Sequence, residues 1–399
     1  MKNKHSRMYI FAYNVEPNGI SGGETILIET FKRIASRFTY VDIYCWGPSH
    51  DLYTTYGLVG VNYIISPILV IKNFYASFIL RTFFGIYKGI TLHINKDEVN
   101  YLYFSSDFLP DALAVILLKL RYPKSIFIGN FFLAAPNPFK GFNENGRIRF
   151  PSLNGIFFWI TQKPVYFFTK YYADLILITS LPDIIRFPKQ SKKDAYYIVK
   201  GGVNLESIRK FEKKNKNIKK ENDAIFIGRF HPQKGVSQLI DIWKLVVRKK
   251  PDARLVMIGD GPLFKTIKNK IKILQLTKNI ILTGYIFDAT KRYMLYMQSK
   301  IILHPAVYDS GGMAITEAMA LGLPGISFDL EALKTYYPTG VLKVTLNDFA
   351  GFADKIIALL DNQTLYRKTQ INAISLIESE WDWNKRATEL ADKIFSIKK

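Results

Sequence analysis

Short runs of β-branched and aromatic residues alternate along the chain with longer segments in which apolar residues recur every three or four positions. The short runs are typical of β-strands, and the longer segments have the spacing of amphipathic helices. Strands that alternate with helices predict an α/β fold with parallel sheets covered by helices. The predicted strands are residues 8–13, 41–46, 62–65, 101–104, 126–128 and 175–178 in the first half, and 224–227, 254–258, 280–282, 301–303, 325–327 and 342–344 in the second.

These two series predict two domains, because 399 residues that are 48% hydrophobic exceed what one ordinary core needs. We place the first, N-terminal domain at residues 1–199 and the second, C-terminal domain at 200–382. Residues 383–399 predict a final helix, which we expect to cross back to the first domain. Residues 209–222 are rich in lysine with little apolar periodicity, and this predicts a solvated loop near the junction.

The composition excludes several kinds of site. Cys45 is the only cysteine, so the chain can form no internal disulfide, as expected in a reducing compartment. The five histidines show no metal-ligand spacing, so we expect no metal. Residues 1–13 predict a first strand rather than a signal peptide, and basic residues interrupt every long apolar stretch, so we expect a cytoplasmic chain without a membrane span.

The formal net charge of +22 favours polyanionic partners, which could be phosphorylated substrates, an anionic membrane surface or nucleic acid. Surface lysine also promotes solubility, which is the simpler explanation. The lysines are spread along the chain and no nucleic-acid-binding module is recognisable, so we expect no nucleic-acid partner.

The most informative segment is residues 301–329, IILHPAVYDSGGMAITEAMALGLPGISFD. A buried strand is predicted to end at His304, and a helix is predicted to start near Gly312. Free N–H groups at such a helix start attract anions. Asp309 lies just before that start, and Glu317 lies about a turn and a half inside the helix. The alternative is structural, with Asp309 as a helix cap and Glu317 as a solvated side chain.

Three further segments combine strand ends with glycine or cationic side chains. Residues 224–235, AIFIGRFHPQKG, place Gly228-Arg229 and Lys234-Gly235 after a strand, and both cations suit a diphosphate. Residues 255–262, LVMIGDGP, form a strand and a tight turn. Ser21-Gly22-Gly23 follows the first strand, where glycine lets a phosphate approach the backbone. Each segment alone is weak evidence, because such turns are common. In their order along the chain, the four segments fall where loops would line one cleft between two domains.

The second half resembles the family-4 glycosyltransferases, also called glycosyl transferases group 1. That family's signature is an acidic residue, seven intervening residues and a glutamate, followed by A-M-A-x-G-x-P. Here the pattern is Asp309, SGGMAIT, Glu317 and AMALGLP, and the GRF…KG, IGDGP and IILTGY segments match in order. The resemblance implies the GT-B fold, in which two Rossmann-like domains with parallel sheets face each other across a cleft.

The resemblance also implies a retaining glycosyltransferase, a hexosyltransferase, that moves a sugar from a nucleotide-sugar donor to a glycan or lipid-linked acceptor. The donor is a substrate, and no cofactor or metal is implied. Arg229 and Lys234 would bind the diphosphate, Glu317 the ribose hydroxyls and Asp309 the transferred sugar, and these four are the predicted catalytic residues. The predicted donor site is completed by Gly22 and Gly23 from the first domain and by Gly228, Gly284, Tyr285, Gly311, Gly312 and Met313.

The chain departs from the family pattern in three places. Ser310-Gly311-Gly312 replaces the commoner Gly-Phe-Gly, so the resemblance implies no sugar preference. Asp309 stands where glutamate is usual, and residues 127–138 lack the histidine that many members place near the sugar, with Asn130 near that position. The alternatives are therefore an inactive GT-B scaffold, a polyanion-binding protein, or another GT-B enzyme such as a nucleotide-sugar epimerase or a phosphorylase.

Residues 64–94 and 154–172 are rich in aromatic side chains with interspersed basic residues. This combination suits a surface that lies at the headgroups of an anionic bilayer. We therefore also expect peripheral association with the inner face of the cell membrane. The alternative is that both segments are helices that pack on their own sheet.

Overall fold

The computed structural model describes residues 5–14, 20–139, 150–185, 187, 195–309 and 312–397. Their contacts form two compact units. The first unit contains the described residues up to 139, residues of 150–201, and 383–397. The second contains the described residues of 202–382.

The first unit is built on a seven-stranded, all-parallel sheet with strand order β3-β2-β1-β4-β5-β6-β7. All six strands predicted for this half are present. The seventh, β7, has three residues, too few for a periodic pattern. The strands are β1 (Ser6–Ala12), β2 (Tyr40–Trp46), β3 (Asn62–Ser66), β4 (Val99–Phe104), β5 (Ile126–Phe131), β6 (Leu175–Ile178) and β7 (Tyr196–Ile198).

Helices cover this sheet and bury its aromatic core, which includes Tyr9, Phe11, Leu102 and Phe104. Asn130 lies within β5 and is buried, and its amide donates to the Phe104 carbonyl at 2.6 Å. The helices of this part of the chain are α1 (Gly22–Ile34), α2 (Gly47–Thr55), α3 (Phe74–Thr91), α4 (Leu109–Arg121), α5 (Leu153–Tyr172) and α6 (Leu181–Ile184), with a 3-10 turn at Ala35–Arg37.

The second unit contains a six-stranded parallel sheet with strand order β10-β9-β8-β11-β12-β13. Every strand predicted for the second half is present. Alternate residues of β8 face two cores, with Phe226 in one and Ile225 in the other. The strands are β8 (Asn222–Ile227), β9 (Leu255–Ile258), β10 (Ile280–Gly284), β11 (Ser299–His304), β12 (Gly325–Phe328) and β13 (Val341–Val344).

The helices of the second unit correct one prediction, because α7 occupies the start of the lysine-rich segment 209–222. Its apolar residues begin earlier, at Leu205, and continue with the buried Ile208 and with Phe211. A segment that starts at residue 209 contains only the last of these three, so it does not show their helical spacing. The helices are α7 (Leu205–Lys214), α8 (Val236–Lys249), α9 (Phe264–Ile273), α10 (Ala289–Met297), α11 (Thr316–Ala320), α12 (Glu331–Tyr336), α13 (Phe349–Asp361) and α14 (Gln363–Glu380), with 3-10 turns at Pro232–Lys234 and Met313–Ile315.

The last helix, α15 (Trp383–Phe395), belongs to the first unit and packs against α1. It buries the stripe Trp383, Ala387, Leu390, Ala391 and Ile394. Arg33 of α1 donates to the Asn384 side chain at 2.7 Å, which ties the two helices at one end.

In each sheet the strand order reverses beside the first strand of the series, between β1 and β4 and between β8 and β11. Loops at the carboxyl ends of two such strands diverge and leave a crevice, where open α/β sheets bind their ligands. In the second unit these loops begin at Gly228 and Pro305 and carry Arg229, Lys234 and Asp309. Topology therefore places three of the predicted site residues at this crevice.

Candidate functional site

The loops that follow β8 and β11 are held together by their backbones. Gly235 has φ = 65°, and a Cβ atom there would lie 1.8 Å from the carbonyl oxygen of Pro305. The Val307 amide donates to the carbonyl of Gln233 at 2.9 Å. Only glycine allows this approach, and it brings Lys234 beside the β11 loop.

Asp309 is the centre of a buried polar cluster, with its side chain 7% exposed. Lys234 Nζ donates to Asp309 Oδ2 at 2.7 Å, and His304 Nε2 lies 3.1 Å from the same oxygen. The Gly312 amide donates to Oδ1 at 3.2 Å. Asp309 thus accepts from the backbone three residues later and also pairs with the predicted phosphate-binding lysine. It is not the helix cap of the structural alternative, because the N-cap of the following 3-10 turn is Gly312, which has no side-chain cap hydrogen bond.

The charges in this cluster follow from its environment. Burial opposes the charged form of Asp309, but the Lys234 ammonium and His304 outweigh it and hold the pKa of the carboxyl well below its usual range. Burial lowers the pKa of His304 against the opposing effect of Asp309. At neutral pH the cluster therefore contains a carboxylate, an ammonium group and a neutral imidazole whose Nε2–H donates to Asp309.

Gly312, whose amide donates to Asp309, has φ = 55°. A Cβ atom at this position would be 2.7 Å from Leu333 Cδ2 and 3.4 Å from His304 Nε2, so a larger residue would not fit without displacing them. The Tyr337 hydroxyl donates to the Gly312 carbonyl, and Trp381 stacks on Tyr337 with ring centroids 5.5 Å apart. Gly311, also predicted as a site residue, lies outside the described residues.

The second predicted carboxylate, Glu317, is paired with Arg292 of α10. Arg292 Nε and Nη2 donate to the two oxygens of Glu317 at 3.2 and 3.1 Å, and the Tyr296 hydroxyl donates to Oε2 at 3.4 Å. A two-pronged pair of this kind fixes the plane of the carboxylate. The helix itself differs from the prediction, because a 3-10 turn starts at Met313 and Glu317 is the second residue of the short α11.

Arg229 differs from Lys234 in that its side chain is exposed, and it makes no ion pair within the described part of the chain. Its neighbour Gly228 is fixed by a hydrogen bond from its amide to the Ile258 carbonyl at 3.1 Å. Gly284 ends β10 with φ = 74°, and Tyr285 beside it is 56% exposed. These residues lie at the carboxyl ends of β8 and β10, where the sequence placed them.

Comparison with known proteins identifies this part of the chain. The family described as glycosyl transferases group 1 matches residues 207–376. Residues 207–376 therefore resemble a group 1 glycosyltransferase domain. A phosphatidyl-myo-inositol mannosyltransferase of Mycobacterium leprae is 26% identical over 195 residues, which cover 48% of this chain and 51% of its own length. The alpha-D-kanosaminyltransferase of Streptomyces kanamyceticus is 24% identical over 170 residues, 42% of this chain and 44% of its own.

The chain thus spans about half the length of these curated relatives. A solved structure extends the likeness to both units. Anabaena HepE, crystallised with UDP and glucose, superimposes with a TM-score of 0.71 over 98% of this chain and 100% of its own, at 14% identity. At that identity the likeness shows the fold, which is GT-B as the resemblance implied.

The two predicted glycines outside the glycosyltransferase domain, Gly22 and Gly23, form the first turn of α1 in the first unit. Ser21 and Glu24 cap this helix reciprocally, since the Ser21 hydroxyl accepts from the Glu24 amide and the Glu24 carboxylate accepts from the Ser21 amide. A Cβ atom on Gly23 would lie 3.4 Å from the Phe132 ring. Their predicted approach to phosphate stays a prediction.

Sequence reasoning missed the partners that hold the two carboxylates. His304 and Tyr337 surround Asp309 and Gly312, and Arg292 pairs with Glu317. The position of His304 at the end of a buried strand, five residues before Asp309, was a usable signal. Arg292 lies 25 residues before Glu317, so a single sequence contains no pattern that links them.

Two features are absent from the described residues. No group of three or more His, Cys, Asp or Glu side chains in that part of the chain is arranged to hold a metal ion. No helix within the same residues is long and apolar enough to cross a bilayer.

Proposed function

We propose that the protein is a retaining glycosyltransferase that takes a sugar from a nucleotide-sugar donor and passes it to a glycan or lipid-linked acceptor. One observation supports this most strongly. Two fixed carboxylates, Asp309 and Glu317, lie on the turn and helix that follow β11, and Lys234 reaches Asp309 from the loop after β8. This crevice is where open α/β sheets bind nucleotides.

The cations would act on the diphosphate. Lys234 Nζ has three N–H donors, and its hydrogen bond to Asp309 uses one, so the others can meet phosphate oxygens. Exposed Arg229 can add a planar pair of donors. Together they would stabilise the negative charge that develops on the departing nucleoside diphosphate as its bond to the sugar breaks.

The carboxylates would bind hydroxyl groups. Arg292 holds Glu317 in one orientation, and Oε1, which accepts one hydrogen bond where Oε2 accepts two, keeps a lone pair that a ribose hydroxyl can use. The ionised Asp309 would accept from a hydroxyl of the transferred sugar. In the proposed reaction the acceptor oxygen bonds to the anomeric carbon on the face from which the diphosphate leaves, so the configuration is kept.

The first prediction concerns donor binding. A nucleoside diphosphate or nucleotide sugar that binds only the folded protein should raise its melting temperature, since a hundredfold excess over Kd stabilises by about 2.7 kcal/mol. UDP and UDP-glucose are tested first, because HepE was crystallised with UDP and glucose. Arg229→Ala and Glu317→Ala should each abolish or strongly reduce the shift, as measured by scanning fluorimetry.

Arg367→Ala is the matched control, because this exposed arginine lies on α14. It should keep the full shift. Failure of every nucleoside diphosphate and nucleotide sugar to stabilise a folded protein would reject the donor site. An equal shift in wild type, Arg229→Ala and Glu317→Ala would place the ligand elsewhere.

The second prediction concerns stereochemistry. An α-linked nucleotide sugar should give an α-linked product, because the proposed attack occurs on the face that the leaving group vacates. Proton NMR of the fresh product, or of the sugar released when water is the acceptor, measures the anomeric coupling before mutarotation. A β-linked first product would contradict a retaining reaction while leaving the donor site intact.

A further inference from the structure

Helix α3 of the first unit exposes a continuous apolar stripe. Its five members recur every three or four residues, so they lie along one face of the helix. Ordinary surface helices present polar residues there, and a stripe of this length indicates a contact with something apolar. The stripe comprises Tyr75, Ile79, Phe83, Tyr87 and Ile90, which are 37, 55, 67, 57 and 56% exposed.

Helix α5 exposes a second stripe, whose members are seven, seven and four residues apart and therefore also lie along one face of the helix. Its members are Leu153, Ile160, Phe167 and Tyr171, and the first of them is 80% exposed. The loop before α3 adds Leu69 and Val70, 75 and 66% exposed. We call these two stripes and this loop the aromatic face.

The two stripes meet at their N-terminal ends. The Tyr75 and Phe157 rings lie 5.1 Å apart, and the Tyr75 hydroxyl donates to the Asn154 side chain. Between the helices lies an apolar groove of about 360 Å³, lined by Tyr75, Leu153, Ile156, Phe157, Ile160 and Thr161. The aromatic face is therefore one surface rather than two separate patches.

The charges on this face have a single sign. Neither α3 nor α5 contains an aspartate or glutamate, in 18 and 20 residues. Lys163 lies within the α5 stripe, between Ile160 and Phe167, and its ammonium is 3.4 Å from the centroid of the Trp159 ring. Exposed Lys72 lies three residues before Tyr75, in the loop that precedes α3. Long basic side chains among aromatic rings can extend their charge to headgroups while their stems stay apolar.

This charge pattern decides between the possible occupants. A second copy of the chain, joined through the same face, would bring the basic side chains of the two copies together with no acidic side chain from α3 or α5 between them, and like charges oppose such a contact. An anionic bilayer offers both an apolar layer for the rings and phosphates for the lysines. We propose that the aromatic face docks on the surface of an anionic lipid bilayer. The net charge of +22 favours the same partner at longer range.

The test is co-sedimentation with vesicles of phosphatidylcholine containing about 30% phosphatidylglycerol, compared with pure phosphatidylcholine, at about 0.05 and about 0.5 M salt. Wild-type protein should bind the anionic vesicles more tightly, and high salt should weaken this binding. Phe83→Ser with Phe167→Ser should lower the partition coefficient at least about tenfold. Lys72→Glu with Lys163→Glu should lower it by about fivefold or more for each lysine.

Matched controls lie on the second unit. Ile273→Ser with Ile371→Ser removes side chains that are 78 and 65% exposed, and Lys268→Glu with Lys368→Glu makes the same change in net charge. Both controls should bind within about twofold of wild type, since surface changes elsewhere have little effect. No binding by wild type, or an equal loss in these controls, would overturn the proposal.

A dimer of the free protein that Phe83→Ser and Phe167→Ser dissociate, without any loss of vesicle binding, would assign the face to a second copy instead. Analytical ultracentrifugation measures this. The nucleotide-induced rise in melting temperature should be unchanged in every aromatic-face variant, so failure of the membrane proposal and failure of the proposed function are distinguishable.

Discussion

Lys234→Met is expected to lower the transfer rate about 10²- to 10³-fold, the loss typical when one preorganised charge-stabilising donor is removed. It should also destabilise the second unit by about 2–4 kcal/mol, because breaking a buried ion pair leaves one charge without its partner. The carboxylate that loses its partner is Asp309, 7% exposed, which Lys234 contacts at 2.7 Å. Methionine keeps the length of the apolar stem and removes the ammonium group, so the loss reports that group.

Adding Asp309→Asn to Lys234→Met separates the two effects. Asparagine can still accept from the Gly312 amide through its oxygen, its NH2 group in place of Oδ2 can donate to His304 Nε2 in the other imidazole tautomer, and it carries no charge to bury. The double variant should regain most of the lost stability in urea unfolding and should stay inactive in a donor-hydrolysis assay. Recovery of activity together with stability would show that Lys234 acts only by neutralising Asp309, against its proposed contact with phosphate.

Much of the fold follows from local patterns. Each strand of the two sheets except β7 is a compact β-branched or aromatic run, and the buried stripe of α15 has unbroken helical spacing. Helix α7 shows where such reasoning fails, because its three apolar anchors are surrounded by charged residues such as Arg209. That arginine pairs with Glu212 and Glu378, so part of the support for the helix comes from α14, far along the chain.

The candidate site likewise contains residues that local sequence predicts and residues that only tertiary contacts reveal. Asp309 and Glu317 could be found from their spacing, because both lie on one short segment after a strand. Their partners could not, because contacts such as Arg292 with Glu317 are made by tertiary packing rather than by neighbouring positions. Even the pairing of Lys234 with Asp309 required the structure, since it depends on the close approach of Gly235 to Pro305.

A buried acidic pair in the first unit leads to the last prediction. Asp107 follows β4, and Asp111 lies in the first turn of α4, beside the point where the strand order reverses. Burial raises the pKa of Asp107 to about 7 and that of Asp111 to about 6. Asp111 is compensated by the Ser105 and Ser106 hydroxyls and by two backbone amides, whereas the side-chain donor to Asp107 is Gln162, at 2.7 Å.

The Asp107 carboxyl should therefore cost the fold stability as the pH rises from about 4 to about 7, because the folded chain keeps a proton on Asp107 that the unfolded chain has released. At about 1.36 kcal/mol per pKa unit, the loss from this carboxyl is on the order of 4 kcal/mol. Asp107→Asn should remove it, so this variant should be the more stable protein at about pH 8 and equal to wild type at about pH 4. Urea unfolding across this range measures the difference.

The asparagine introduced by Asp107→Asn would still offer an oxygen to the Gln162 amide, so the comparison isolates the charge. Asp97→Asn, at an exposed position of the same unit, should leave the pH profile unchanged. A stability difference between Asp107→Asn and wild type that does not grow from about pH 4 to about pH 7 would contradict the predicted sign. The second measurement is the transfer activity of Asp107→Asn, compared with that of wild type. A buried carboxylate that destabilises the fold is expected to persist where it serves the reaction, so stability and activity should change in opposite directions.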